Sequence, residues 1–285
     1  MTAHSNHLPG VGTIARRLPV SGGYTPADRF RAELTSGETV FVKRAVNDDT
    51  ARWLRIEARV YGALADAPFL ARCLAFEDGP RPTLVLEDLA HAHWPGGWRP
   101  GDVDRVRDTL RTIAATAAPD WVPVRKSEAM NGWWQVADDP APFLSLGLCT
   151  PTWLNTHLPV LLDAERPWPE PFVLAHCDTR SDNLCLLPDR VVIVDWNWVC
   201  RAPVGFDAAF WSASLAAEGG ALPEDVAGSD PLWAARVSGF FAARAGLPDL
   251  PFAPRVRTIQ RIQLEAALPW AVRVLGLPPP EALER

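Results

Sequence analysis

Apolar positions along the first ~45 residues come in short runs broken by turn residues, a pattern of strands rather than helices. Residues 30–34 and 39–46 are apolar or β-branched and flank Ser36-Gly37-Glu38, so they predict a hairpin. The spacing then changes. Asn47-Asp48-Asp49-Thr50 offers helix caps, and Trp53, Ile56, Val60 and Leu64 recur every three or four residues, predicting one amphipathic helix that ends near Ala67-Pro68. Two further short strands are predicted at 73–76 and 83–86, with Gly79-Pro80 as their turn. After Leu89 the texture becomes helical with long proline-rich connections, which places a boundary at residues 87–90 and predicts two units, 1–88 and 89–285. Inside the second, residues 171–175 and 191–194 suit short buried strands. From Ala208 helical patterns run to the C-terminus, including 255–275 with an interruption at Pro269.

Composition narrows the class. The 285 residues are 48% hydrophobic and 22% charged, ordinary for a globular chain and too apolar for wholesale disorder. No apolar run approaches the ~18–20 residues of a membrane span, and the start MTAHSNHLPG lacks the basic and apolar regions of a signal peptide. A net charge of −6 argues against a general nucleic-acid binder. Residues 1–89 carry 11 acids and 11 bases, and residues 90–285 carry 23 and 17, so all the excess acidity lies in the second unit. Five scattered cysteines with no CxxC pair predict neither a disulfide framework nor a zinc site, hence reduced thiols and a cytoplasmic location. Only two of the 28 basic residues are lysine, Lys43 and Lys126. A lysine retained in so arginine-rich a chain points to a role that a guanidinium cannot fill.

The strongest chemical signal is His176-Cys177-Asp178-Thr179-Arg180-Ser181-Asp182-Asn183, which lies between the two predicted buried strands, the second of which runs into Asp195. Asp178 stands five residues before Asn183, and Asp195 twelve after it. Two carboxylates and an amide at that spacing form a compact set of oxygen donors, suited to a hard divalent ion such as Mg2+ that completes its shell with phosphate and water. Asn183 and Asp195 are read as the metal ligands, and Asp178 as the residue that faces an acceptor hydroxyl. The plain alternative makes Asp178 and Asn183 loop caps and Asp195 a strand end. His176 precedes Asp178 by two positions and is read as packed core rather than as a base.

With these residues the chain resembles the aminoglycoside phosphotransferase family, relatives of choline kinases and, more distantly, of protein kinases. The family pattern is H-G-D-x-x-x-x-N, a strand ending in D-W or D-F, then a glycine and an aspartate. It is met by His176, Asp178, Asn183, Asp195-Trp196 and Gly205-Phe206-Asp207, with Cys177 in place of the usual glycine. The resemblance implies an α+β, bilobal, protein-kinase-like fold, with a small antiparallel-sheet lobe bearing one main helix and a larger, mainly helical lobe. It implies an ion pair between Lys43 and Glu57, with Lys43 reaching the phosphates of a nucleotide. Ser21, Gly22 and Gly23 would cover the phosphates, although the full glycine-rich pattern of protein kinases is missing. Backbone around Glu87, Asp88 and Leu89 would meet the nucleotide base, and Arg180 would neutralise charge on the transferring group. Asp207 would hold the loop at His176 by accepting backbone N–H bonds. Gly10-Val11-Gly12-Thr13-Ile14-Ala15 matches a dinucleotide fingerprint by letters, but polar residues and Pro9 precede it instead of an apolar strand, so no nicotinamide site is expected.

The activity implied is Mg2+-dependent transfer of the γ-phosphoryl group of ATP or GTP to a hydroxyl of a small molecule. Asp195 to Asp207 spans only twelve residues and lacks the A-P-E-like end of an activation segment, so no peptide substrate is expected. Neither nucleic acid nor membrane is an expected partner. An antibiotic acceptor of aminoglycoside, nucleoside, macrolide or peptide type would make the role resistance or self-protection. A metabolic kinase of a sugar or amino alcohol is one alternative, and a catalytically inactive kinase-like binding module another. The presence of Lys43, Asp178, Asn183 and Asp195 weighs against the inactive module. The predicted C-terminal helix, residues 258–275, carries one acid, Glu265, and several arginines, which suits a strongly cationic acceptor poorly.

Overall fold

The computed structural model describes residues 6–20, 26–251 and 253–280. The chain begins with strands β1 (His7–Leu8), β2 (Gly12–Pro19), β3 (Asp28–Leu34) and β4 (Thr39–Arg44), helix α1 (Asp48–Ala63), and strands β5 (Cys73–Glu77) and β6 (Thr83–Glu87). Helices α2 (Asp102–Ala115), α3 (Gly132–Asp138), α4 (Ala141–Leu144) and α5 (Pro151–Ala164) follow. Then come strands β7 (Phe172–Ala175), β8 (Leu184–Leu186), β9 (Val191–Ile193) and β10 (Cys200–Pro203). Helices α6 (Phe206–Ala217), α7 (Pro223–Ala227), α8 (Pro231–Ala245) and α9 (Val256–Val274) complete the elements. Two compact units result, Met1–Pro95 with Ser181–Val199, and Gly96–Arg180 with Cys200–Arg285.

The first unit is built on an antiparallel sheet in the order β1-β2-β3-β4-β6-β5. Alternation makes it two-faced: Phe30, Ala32 and Leu34 of β3 and Val40 and Val42 of β4 are buried together with Leu8, Ile14 and Val85, and the residues between them point to the other face. Gly12 opens strand β2, not a phosphate-binding turn before a helix. Helix α1 starts where Asn47 Oδ1 accepts from Thr50 N at 2.9 Å and Thr50 Oγ1 accepts from Asn47 N at 3.0 Å. This reciprocal exchange satisfies two backbone donors that a helix start otherwise leaves open. The hairpin of β8 and β9 belongs to this unit as well, with Ile193 N donating to Phe69 O at 2.9 Å.

The second unit is helical, with β7 and β10 paired antiparallel beside a core that includes Trp133, Leu161, Phe206, Leu264 and Trp270. Helix α9 runs unbroken through Pro269, where an interruption was expected, and α5 likewise contains Pro159. Burial of Leu264, Ala267, Leu268, Trp270 and Ala271 compensates the backbone bond that Pro269 cannot make. Helices α3 and α8 meet at glycines: a Cβ on Gly132 would overlap the backbone of Gly239, and one on Gly239 would come within 2.9 Å of Trp133 N. Beside them the buried Glu165 accepts from Trp133 N at 3.2 Å. Among the described residues no helix is long and apolar enough to cross a membrane.

Gly239→Ala should lower stability by about 1–3 kcal/mol through overpacking, measured by urea unfolding. Burial pushes the Glu165 carboxyl up to about 7, against nearby backbone N–H groups and Arg236. Because that value lies above the ordinary 4.5, its contribution to stability is complete below about 4.5 and is lost as the pH rises through about 7. Unfolding followed from about pH 5 to 8 should show that loss, and Glu165→Gln, which keeps an acceptor oxygen, should flatten it. An unchanged slope in the variant would remove Glu165 as the source.

Candidate active site

Lys43 lies near the end of β4, with Arg29 of β3 opposite it on one side and Leu84 of β6 on the other. Its Nζ donates to both oxygens of Glu57 at 2.9 Å and to Asp195 Oδ1 at 2.9 Å. Glu57 arrives there on the buried stripe of α1, which also carries Leu54, Val60 and Tyr61. Lys43 is 4% exposed and Glu57 1%, so the pair is almost fully desolvated. Burial works against the ammonium, but the fields of Asp195 and Glu57 exceed it and hold the Lys43 pKa above its ordinary value. One ammonium between two carboxylates leaves a negative charge over within the trio.

Asn183 and Asp195 come together at one end of the β8–β9 hairpin. Leu184 pairs with Ile193, and Val194 N donates to Asn183 O at 3.0 Å, which sets Asp195 one residue beyond that rung. Asp195 adopts the left-handed conformation at φ 70, a costly one for a residue with a Cβ. Trp196 anchors it: fully buried, it donates from Nε1 to Ile193 O at 2.7 Å and packs on Phe69, ring centroids 5.5 Å apart. Trp198, half-exposed, lies against Trp53 of α1 at 6.4 Å, tying this segment to the helix that bears Glu57. An amide and a carboxylate, oxygen donors next to surplus negative charge, fit Mg2+, which takes one or two carboxylates and leaves its other positions to water and phosphate. Among the described residues no three His, Cys, Asp or Glu cluster as a metal site.

Asp178 and Arg180 belong to the second unit. His176 is fully buried, and its Nδ1 accepts the backbone N–H of Asp178 at 3.2 Å. Asp207, in the first turn of α6, accepts the N–H groups of His176 and Cys177 at 2.7 and 2.8 Å. Burial pushes the Asp207 carboxyl up to about 6 against those two donors and Arg125. Cys177 takes φ 66, the left-handed region where glycine is at ease, and its bond to Asp207 helps to keep it there. Cys177 and Cys200 are disulfide-bonded, which corrects the expectation of five reduced thiols. Strand pairing is the reason, since Ala175 lies opposite Cys200 and the turn two residues on returns the Cys177 sulfur to that rung. Cys73, Cys149 and Cys185 are free. Arg180 Nε lies 3.2 Å from Asp178 Oδ1, so these two form an ion pair with each other.

Ser21, Gly22 and Gly23 lie outside the described residues. Around the expected hinge the acidic side chains are already engaged. Glu87 accepts from Arg190 and from Arg72 N, each at 2.7 Å. Asp88 accepts from Arg31 at 2.7–2.9 Å and from Ala90 N at 3.0 Å. Leu89 O accepts from Ala92 N and Trp94 Nε1, each at 3.1 Å. Two cations escape sequence reasoning. Arg29 becomes notable only through its register opposite Lys43, and its charge acts on Glu57. Arg125 sits in a loop before α3, where no spacing marks it, and it feels Asp207 and Asp178.

The model of the phosphotransferase enzyme family (APH) matches residues 17–271. The chain belongs to that family. No curated protein matches it by sequence. Solved structures agree in fold at low identity. A choline/ethanolamine kinase family protein from Mesorhizobium loti is 16% identical over 94% of this chain and 92% of its own, with a TM-score of 0.62. A thermostable mutant of aminoglycoside phosphotransferase APH(4)-Ia, in ternary complex with ADP and hygromycin B, is 12% identical over 93% and 94%, with a TM-score of 0.57. Macrolide 2'-phosphotransferase MphH from Brachybacterium faecium is 15% identical over 94% and 95%, again at 0.57. The chain is thus a small-molecule phosphotransferase acting on hydroxyl groups, on a kinase-like fold with an antiparallel-sheet N-terminal region and a helical C-terminal part.

In this member the buried ion pair is testable by itself. Lys43→Met leaves Glu57 without its cation and should cost about 3–5 kcal/mol in unfolding free energy, while Lys43→Met with Glu57→Leu should regain most of that. Equal losses in the single and double variants would show that the two charges are not coupled.

Proposed function

We propose that this enzyme transfers the γ-phosphoryl group of ATP or GTP to a hydroxyl of a small-molecule antibiotic, with Mg2+ held by Asn183 and Asp195. The observation that carries the proposal is the position of Lys43 Nζ, 2.9 Å from both Glu57 and Asp195, which joins a phosphate-binding cation to a metal-binding carboxylate. Glu57 keeps the ammonium charged and aimed, and Lys43 holds the α- and β-phosphates. When bound, Mg2+ supplies positive charge that neutralises the phosphate oxygens. Main chain around Glu87, Asp88 and Leu89 contacts the base, and Ser21, Gly22 and Gly23 cover the phosphates. Residues 1–88 thus act as the nucleotide clamp, and residues 89–285 supply the catalytic loop and the acceptor-binding helices.

Asp178 orients the acceptor hydroxyl and takes its proton as the new bond from oxygen to the γ-phosphorus forms. The bond from that phosphorus to the bridging oxygen of the β-phosphate breaks, and the nucleoside diphosphate leaves. Arg180, paired with Asp178 at rest, neutralises charge on the group in flight. Asp207 and His176 position this loop through the backbone of His176, Cys177 and Asp178. Little covalent work falls to the protein beyond alignment and charge compensation.

An antibiotic acceptor is supported by the fold likeness to a phosphotransferase complexed with hygromycin B and to a macrolide phosphotransferase. Such a role belongs to the cytoplasm, where nucleoside triphosphates are available. A metabolic kinase is the second reading, favoured by the likeness to a choline/ethanolamine kinase family protein. Mass spectrometry of a mixed antibiotic and metabolite panel, reading products heavier by one phosphate, separates the two. Asp178→Ala should lower transfer by about 10²–10⁴-fold and leave the affinity for Mg·nucleotide nearly unchanged by calorimetry. Full turnover in the pure variant would take the proton-handling role from Asp178. Failure of both ATP and GTP to give an Mg2+-dependent thermal shift would overturn the phosphotransfer reading.

A further inference from the structure

We infer that the acceptor carries an anionic group, a carboxylate or a phosphate, and that Arg125, Arg244 and Arg257 receive it. This specifies the acceptor side of the phosphotransfer reading and rests on it. Phe206, Phe210 and Phe240 form a row of rings, the first two stacked at 4.6 Å and the last two edge-on at 5.4 Å. Each end of the row carries a guanidinium. Arg125 Cζ is 6.0 Å from the Phe206 centroid, and Arg244 Cζ is 4.0 Å from that of Phe240. The two converge on neighbouring residues, Arg125 Nη2 reaching Met130 Sδ at 3.8 Å and Arg244 Nη2 donating to Ala129 O at 3.0 Å. Arg257, in the first turn of α9, donates to Pro248 O at 3.2 Å and to Gln260 at 2.8 Å.

Among the described residues no carboxylate forms an ion pair with any of these three. Elsewhere in this unit Arg107, Arg111, Arg166, Arg261 and Arg273 each have an acidic partner, whereas Arg201 and Arg236, like Arg244 and Arg257, are held by carbonyl and amide oxygens. The Nε of Arg125 is buried and has no hydrogen-bond partner. Burial lowers the pKa of Arg244, and Arg257 and Arg125 lower it further against Glu165. Burial does the same to Arg125, opposed by Asp207 and Asp178. Arg244 is repelled by both other cations, and a cluster answered mainly by carbonyl, amide and thioether groups costs stability that an incoming anion restores. Guanidinium forks match carboxylate and phosphate oxygens. Arg125 is also close enough to Asp178 for their charges to interact, so an acceptor anchored here presents its hydroxyl on the Asp178 side. A polycation such as an aminoglycoside is repelled by the same cluster.

Inorganic phosphate serves as the probe, titrated calorimetrically into enzyme saturated with Mg2+ and AMP-PNP so that the nucleotide site is filled. The wild type should bind it saturably, and Arg125→Gln and Arg257→Gln should each weaken binding by about tenfold. Without phosphate, Arg257→Gln should melt no lower than the wild type, because it relieves the like-charge repulsion on Arg244. Displacement by gluconate but not glucose assigns a carboxylate, and displacement by glycerol 3-phosphate but not glycerol assigns a phosphate. No phosphate binding in the wild type, equal binding in both variants, or displacement by kanamycin in place of the acids would overturn the inference. Phosphate binding that persists while AMP-PNP fails to bind would count against the phosphotransfer reading instead.

Discussion

A buried ammonium must be surrounded by anions, and the consequences of that requirement run through the first unit. Lys43 lies in the interior of a sheet, where an unpaired charge would cost far more than the few kcal/mol by which a domain is stable. Its two carboxylates come from different places: Glu57 from the helix that follows directly, and Asp195 from a hairpin 152 residues further along the chain. Satisfying one ammonium therefore fixes the rotation of α1 and the seat of the β8–β9 hairpin together. Arginine could not substitute easily, because its planar fork needs more room than a compact group that donates to Glu57 and Asp195 within 2.9 Å. This is the physical content of a lysine surviving among 26 arginines.

Much of this was legible in the residues. The two-residue period of β3 and β4, the capped three-to-four-residue period of α1, and the spacings of five residues from Asp178 to Asn183 and twelve from Asn183 to Asp195 are local, and local patterns can be read directly. What stayed hidden depends on pairing between distant segments. Nothing in the order of residues says that Arg29 faces Lys43, that 181–199 packs with the sheet, or that Cys177 and Cys200 meet across the β7–β10 ladder. Pro269 misleads for a related reason: its local effect is to break a helix, and only the packing around Trp270 overrides it.

Net charge proved a poor guide to local field. Residues 90–285 hold all of the excess acid, yet beside Phe206 and Phe240 they gather guanidinium groups with no carboxylate among their partners. The acids are spent elsewhere, on helix faces such as Asp104, Asp108 and Glu265, where they neutralise exposed arginines at little energetic gain. What a ligand meets is set by the charges within a Debye length, not by the sum over the chain.

The contact between Trp53 and Trp198 has an optical side. The first lies one helical turn before Glu57 and the second three residues beyond Asp195, so the two acids cannot draw apart without parting two indoles. Coupled indoles absorb circularly polarised near-ultraviolet light in a way that isolated ones do not. The protein therefore carries, at a half-solvated position, its own chromophoric gauge of whether the charged trio is assembled.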